Sequence, residues 1–242
     1  MRFVQELHVK TTHAIKLEHE AFQHVLVAWA RSSSREAGER AEGLLLRMER
    51  DNGLKPNRVH FATAIKAWTA TRRPEAAKHS QEIFERAINS FKVNGNHPDY
   101  CPDHVLYCAI ITAHAIACNG EQAERHLQIM LEDYQNGNPM AKPETEAFNL
   151  VLTAWLRSKG ANAPNRAEGV FRTMQSLTKK GTLDAHPNER SYSLMCNIMS
   201  NAKAGLDECA KRSKYYAREL QKYRSSGKNM RVPAARKSGK KL

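Results

Sequence analysis

Five times along the chain an aromatic residue is followed seven positions later by a bulky side chain: Phe22…Trp29, Phe61…Trp68, Tyr107…His114, Phe148…Trp155 and Tyr192…Met199. Apolar pairs lie between them, such as Val25/Leu26, Ile110/Ile111 and Val151/Leu152, and an alanine precedes the bulky residue in four of the five. Spacing of this kind marks one face of a helix. A second stripe follows the first. Ala41-Glu42-x-x-Leu45-x-x-Met48 returns at Ala123-Glu124-x-x-Leu127-x-x-Met130 and Ala167-Glu168-x-x-Phe171-x-x-Met174, with a weaker copy from Ala77 to Phe84. The small residue early in this stripe lets two helices approach closely, and the methionine fills irregular gaps at its end. A fifth second helix is expected from Asp207 to about Arg224.

Proline punctuates the units. Lys55-Pro56-Asn57, Cys101-Pro102-Asp103, Lys142-Pro143-Glu144 and His186-Pro187-Asn188 each place the next aromatic five residues after the proline. Proline cannot continue a helix, and a short polar residue after it suits the start of the next one. The aromatics stand 39, 46, 41 and 44 residues apart, so the loops absorb the excess. Repetition at such a period is the mark of stacked helix pairs. The expected fold is all-α, a solenoid of about five helix–turn–helix units. We place an N-terminal helix or remnant of an earlier repeat over residues 1–17 and repeats over 18–57, 58–103, 104–144 and 145–188. A fifth repeat or cap covers 189–226, and a basic disordered tail covers 227–242.

These residues carry a resemblance. An aromatic, then apolar residues, a small residue, a second helix ending in Met and a Pro-Asp/Asn junction is similar to the pentatricopeptide repeat. The likeness runs from about Glu18 to Arg224, and the Ala-Trp-x-Arg-Ser strings at Ala28–Ser32 and Ala154–Ser158 resemble the divergent long repeats of algal members. The tetratricopeptide repeat is also a helix pair, but it lacks the Pro-Asp/Asn junction running into an aromatic. The resemblance implies a right-handed superhelix that binds single-stranded RNA along the first helices, one base per repeat. It also implies a role in RNA processing, stability or translation in a mitochondrion or plastid. The residue after each aromatic and the residue after each proline would together meet one base: Gln23 with Asn57, Ala62 with Asp103, Cys108 with Glu144, and Asn149 with Asn188, while Ser193 has no clear partner. Ala62 and Cys108 lack the amide or hydroxyl that the family's code uses, and Gln23 and Glu144 are atypical; Asn149/Asn188 resembles a pyrimidine-reading pair. Val59 and Val105 fit the apolar position that sandwiches bases, and Arg190 could stack on one through its guanidinium plane.

Charge is uneven. The net charge is +13, yet residues 211–242 hold twelve Lys/Arg against the single acid Glu219, leaving 26 bases against 24 acids before them. A basic end of this kind suits phosphates, and Lys211, Arg212, Lys214, Arg218, Lys222, Arg224, Arg236 and Lys237 are its candidate contacts. The near-neutral remainder keeps a second class open, a scaffold whose concave face takes a peptide. Nuclear import receptors also read basic tails, so cytoplasm and nucleus stay open beside the organelles. Arg2, Lys10 and Lys16 against Glu6 are compatible with an organelle presequence, but Ser and Arg are scarce, so none is assigned.

Chemistry is not expected. There is no nucleophile elbow, no HExxH and no Gly-rich phosphate loop. His104/Cys108 and His114/Cys118 are i, i+4 pairs expected on a single helix and could each offer two ligands, but no third or fourth is at hand, so neither metal nor cofactor is expected. The five cysteines form no CxxC pair and read as reduced thiols in an intracellular compartment. Trp29, Trp68 and Trp155 share one register and are expected in the core. No apolar run reaches the length of a membrane span, and the chain is expected to be monomeric, with no membrane partner.

Overall fold

The computed structural model describes residues 19–226, except 33, 52, 95, 96, 159, 184 and 203–205. Among the described residues there are ten α-helices and no strand. The first, α1, runs over 19–31. It is followed by α2 (Ala37–Asp51), α3 (Arg58–Thr71), α4 (Ala76–Val93), α5 (His104–Ile116), α6 (Gly120–Gln135), α7 (Thr145–Arg157), α8 (Ala163–Lys179), α9 (Glu189–Ser200) and α10 (Leu206–Ser226). Residues 1–17 and the basic tail from 227, with Arg236 and Lys237, lie outside the described residues.

The proline junctions start helices for a definite reason. Asn57, Asp103, Glu144 and Asn188 are the N-caps of α3, α5, α7 and α9, all with extended backbone. Asn57 Oδ1 accepts from the amides of Val59 and His60 at 3.0 and 3.2 Å, and Asp103 Oδ1 accepts from Leu106 at 2.9 Å. Asn188 Oδ1 accepts from Ser191 at 3.0 Å, while the Ser191 hydroxyl accepts from the Asn188 amide, closing a capping box. Each such cap satisfies otherwise orphaned amides and stabilises by about 1 kcal/mol. Glu144 alone makes no side-chain cap. The longer loops are pinned by short 3₁₀ turns at Pro98–Tyr100 and Pro139–Ala141. Arg58 holds the first of them, donating to Pro98 O at 2.7 Å and to Asp103 Oδ2 at 2.9 Å.

Odd-numbered helices pack on one another in chain order, α3 on α5, α5 on α7 and α7 on α9, while each even helix packs on the odd helices beside it. No comparable contact joins α4 to α6 or α6 to α8 among the described residues. A cleft of about 800 Å³ opens between α4 and α6 instead. The core is the sum of the aligned stripes. Phe61, Tyr107 and Phe148, with Leu45, Met48, Leu127, Met130, Phe171 and Met174, are all buried.

The joints between successive pairs follow a pattern. Trp68 on α3 lies over Gly38 at the start of α2 and donates its indole N–H to Glu42 Oε2 at 3.1 Å. Trp155 on α7 repeats this over Gly120 at the start of α6, donating to Glu124 Oε2 at 2.9 Å. A Cβ at Gly120 would fall 2.5 Å from Trp155 Cε3. In the alternate joints the residue three before the motif alanine is Pro74 or Pro164, and the residue in the tryptophan's register is His114 or Met199. Where no tryptophan arrives, Glu168 accepts from Arg212 on α10 at 2.9 Å. The glutamate of the Ala-Glu motif therefore ties its helix to a later one in all three copies.

Two expectations change here. Trp68 and Trp155 are buried, but Trp29 is only half-buried. The other two are covered by the second helix of the preceding pair, and that position before α1 lies outside the described residues. Cys118 does not share a helix with His114. Helix α5 ends at Ile116, and Cys118 follows it in the left-handed region at φ 58°. His114 turns inward, its Nε2 3.2 Å from Gln81 Oε1 and its ring stacked on His126 at 5.0 Å between centroids.

Candidate nucleic-acid interface

The face of the odd helices carries a groove of about 850 Å³, lined from α1 through α7 by residues that include Arg31, Lys66, Arg72, His104, Cys108 and Glu146. Helical spacing puts Val59, Ala62, Lys66 and Ala70 on one strip of α3, because three- and four-residue steps return to the same side. Val59 is 44% exposed and Val105, on the groove wall, is 43% exposed. They occupy the same register on α3 and α5, two residues before the aromatic, on helices whose other large apolar side chains are buried apart from the half-buried Ile116. Arg72 is the C-cap of α3, in the left-handed region at φ 52°, and lines the groove. Three cations against one acid, Glu146, make the groove mildly attractive to anions. The candidate contacts named from sequence omit Arg31, Lys66 and Arg72. The signal was present for Lys66, one helical turn beyond Ala62 on the same strip.

The candidate base-reading residues are placed unevenly. Asn149 and Asn188 meet, with Asn149 Nδ2 donating to Asn188 Oδ1 at 3.3 Å. Asn149 is only 3% exposed, and its Oδ1 accepts from Ser191 at 2.7 Å. Gln23 donates to Thr63 at 3.2 Å rather than meeting Asn57, and Asn57 is engaged by its own helix. Ala62 is buried, and Asp103 pairs with Arg58. Glu144 and Arg190 are exposed, and Ser193 is half-buried. Lys142, Glu144, Glu146, Asn149, Asn188 and Arg190 border a smaller hollow of about 530 Å³ at the start of α7. Replacing Asn149 by alanine is expected to lower stability by about 2 kcal/mol, since it leaves the Ser191 and Asn188 groups short of a buried partner. Urea unfolding measures this, and a change within 0.5 kcal/mol would show that the amide is not part of the folded network.

The thiol in the groove is not poised to react. Burial, with Glu146 and Glu144 nearby, pushes the Cys108 thiol up to about 12, so it stays protonated near neutral pH and is a poor nucleophile. Its Sγ rests 3.7 Å from the His104 ring. The grouping best able to hold a cation among the described residues is Glu42, His79 and Glu82. His79 Nδ1 lies 3.2 Å from Glu42 Oε2 and 3.7 Å from Glu82 Oε2, and the imidazole stacks on Trp68 at 4.1 Å. Glu42 already accepts from Trp68.

The basic end divides in two. Arg212 pairs with Glu168 and Glu208, Lys222 with Glu219, and Arg224 with Glu189. Lys211, Lys214 and Arg218 are exposed on α10. No helix among the described residues is long and apolar enough to cross a membrane. No protein-family model matches the chain, and no curated protein matches it.

Proposed function

We propose that the protein is a non-catalytic single-stranded RNA-binding solenoid of pentatricopeptide type, acting in organellar RNA processing, stability or translation. The observation that carries this reading is the pair of exposed valines, Val59 and Val105, in one register on adjacent odd helices, with Val105 lining a groove that also holds Arg31, Lys66 and Arg72. Exposed β-branched side chains one helix apart make apolar walls between which an unstacked base fits, and the cations meet the backbone. Close packing of odd helices with splayed even ones supports an array that curves toward the groove. Specificity is modest on this reading, because Asn57, Asp103, Asn149 and Asn188 are hydrogen-bonded within the protein. That engagement is also what favours the second reading, a groove that takes a peptide.

Titration with a mixed-sequence single-stranded RNA across a salt series distinguishes these. Val59→Asp with Val105→Asp is expected to weaken binding by about tenfold, because it removes the walls and sets carboxylates against phosphates. The melting curve should stay unchanged, since both valines are exposed. Unaltered affinity in that variant overturns the groove reading. A chain without any RNA affinity at 50 mM salt leaves the peptide reading. Truncation to isolate the tail must spare α10, because Tyr216 is buried against Phe171 at 5.5 Å, so the cut belongs after residue 226.

A further inference from the structure

Helix α10 carries an arrangement that the groove does not use. At 100° per residue, Lys211, Lys214, Tyr215, Arg218 and Lys222 fall within an arc of about 100°. All five are exposed, and Tyr215 is 55% exposed. Cys209 and Tyr216, which are buried, point to the opposite side. No ion pair engages Lys211, Lys214 or Arg218 among the described residues, whereas Arg212, Lys222 and Arg224 are held by glutamates. The Tyr215 ring is braced edge-on by Tyr216, 5.2 Å between centroids, and Tyr216 is itself fixed by Phe171. The helix therefore presents a ring on a rigid support, with free cations within one turn on either side. Asp207 is exposed in the first turn, where a carboxylate complements the helix N-terminus.

We propose that this stripe is a second nucleic-acid contact, in which Tyr215 stacks an unpaired base and Lys211, Lys214 and Arg218 bind the phosphates beside it. The proposal deepens the RNA reading and rests on it for the class of ligand, but it uses none of the groove residues. A cationic helix face fits three polyanions, and the residues choose among them. An anionic bilayer calls for apolar side chains to insert beside the cations, yet Cys209 and Tyr216 are buried and, among the described residues of α10, the exposed large hydrophobic side chains are Tyr215 and Tyr223, both carrying a hydroxyl. The carboxylates of an acidic peptide would engage the cations but offer the ring no flat π-face. In a duplex the bases are stacked internally and offer Tyr215 no partner. An unpaired strand supplies both the phosphates and the splayed base.

The full-length chain is titrated with a mixed-sequence single-stranded RNA, with the same sequence as a duplex, and with vesicles containing anionic lipid. Tyr215→Ala is expected to weaken single-strand binding about tenfold, with Tyr215→Phe retaining it. The slope of log affinity against log salt should stay unchanged in Tyr215→Ala, since no cation is lost. Replacing Lys211, Lys214 and Arg218 by glutamine should make that slope shallower by about 2, three phosphates at roughly 0.7 each. These side chains are exposed, so melting curves should match the parent protein. Wild-type affinity in Tyr215→Ala, equal affinity for the duplex, or preferential capture by the vesicles overturns the proposal. The groove variant Val59→Asp/Val105→Asp separates the two sites. Its failure to weaken binding, beside a weakened Tyr215→Ala, removes the groove and keeps the stripe, and the reverse pattern removes the stripe alone. A chain that binds no RNA removes both.

Discussion

Gly120→Ala is expected to destabilise the protein by about 3 kcal/mol, while Gly43→Ala in α2 should be neutral or slightly stabilising. Both glycines lie in helices, and helix propensity alone favours alanine at either by up to about 1 kcal/mol. The difference is tertiary. A Cβ on Gly120 would fall 2.5 Å from Trp155 Cε3 and 2.6 Å from Cδ2, whereas one on Gly43 would meet nothing within 4 Å. Trp155 cannot retreat, because it is 4% exposed and its Nε1 is held by Glu124. Overpacking of this sort typically costs 1–3 kcal/mol, occasionally more, and here it also strains the indole hydrogen bond. Equilibrium urea unfolding reads the effect. The clash should be relieved in part when Trp155→Leu is added, so a double-mutant cycle should show coupling well beyond 0.5 kcal/mol. If Gly120→Ala unfolds at the same denaturant concentration as Gly43→Ala, the joint is not packed as described.

The second large effect is on pH. His114 and His126 stack between α5 and α6, 6% and 2% exposed. Burial, with His126 beside it, pushes His114 down to about 4, and burial likewise lowers His126 despite the bond to Gln122 O. His60 is lowered by burial as well. In the unfolded chain these imidazoles titrate near their ordinary value of about 6.5. Between pH 6.5 and 4 the unfolded state therefore binds protons that the folded state refuses, so stability falls as the pH falls. It is complete above pH 7 and is lost progressively down to about pH 4. His114 alone would contribute about 3 kcal/mol across that window at most. Charged groups near the pair act in opposite senses: Glu85 favours a charged His126 and so moderates the effect, whereas Arg125 opposes one and deepens it. Denaturation midpoints at pH 7.5, 5.5 and 4.5 test this in the parent and in His114→Gln, which keeps a polar group near Gln81. The variant should lose much less stability on acidification. Equal pH dependence in the two proteins would place the sensitivity elsewhere.

How much of this was open to sequence reading varies by residue. The aromatics Phe61, Tyr107 and Phe148 read as core because seven-residue spacing repeats without interruption, and they are buried. Pro56, Pro102 and Pro187 read as helix boundaries because proline chemistry is local, and the residue after each is a cap. The spacing of His114 and Cys118 reads as one helix, yet the helix ends between them, since the apolar run Ala115-Ile116-Ala117 carries no stop signal. Gly38 and Gly120 stand 30 and 35 residues before the tryptophans that cover them. A glycine near a helix start ordinarily reads as loop punctuation, and only the packing shows an indole lying on it. Asn149 was named for what its amide could offer a base, yet that amide is satisfied by Ser191, 42 residues away. The charge of the basic end was countable, but which cations are free was not, because Arg212 finds its glutamate on a helix 44 residues earlier.

Helix pairing, the places where helices start and the residues that fill the core thus follow from local chemistry: capping, proline's missing N–H and the 3.6-residue period act within a few neighbours along the chain. Which polar side chains remain available to a partner was decided only when the helices packed. Hydrogen bonds and ion pairs between residues some 40 positions apart consume Asn149, Asp103 and Arg212. The same packing leaves Val59, Val105 and Tyr215 facing solvent.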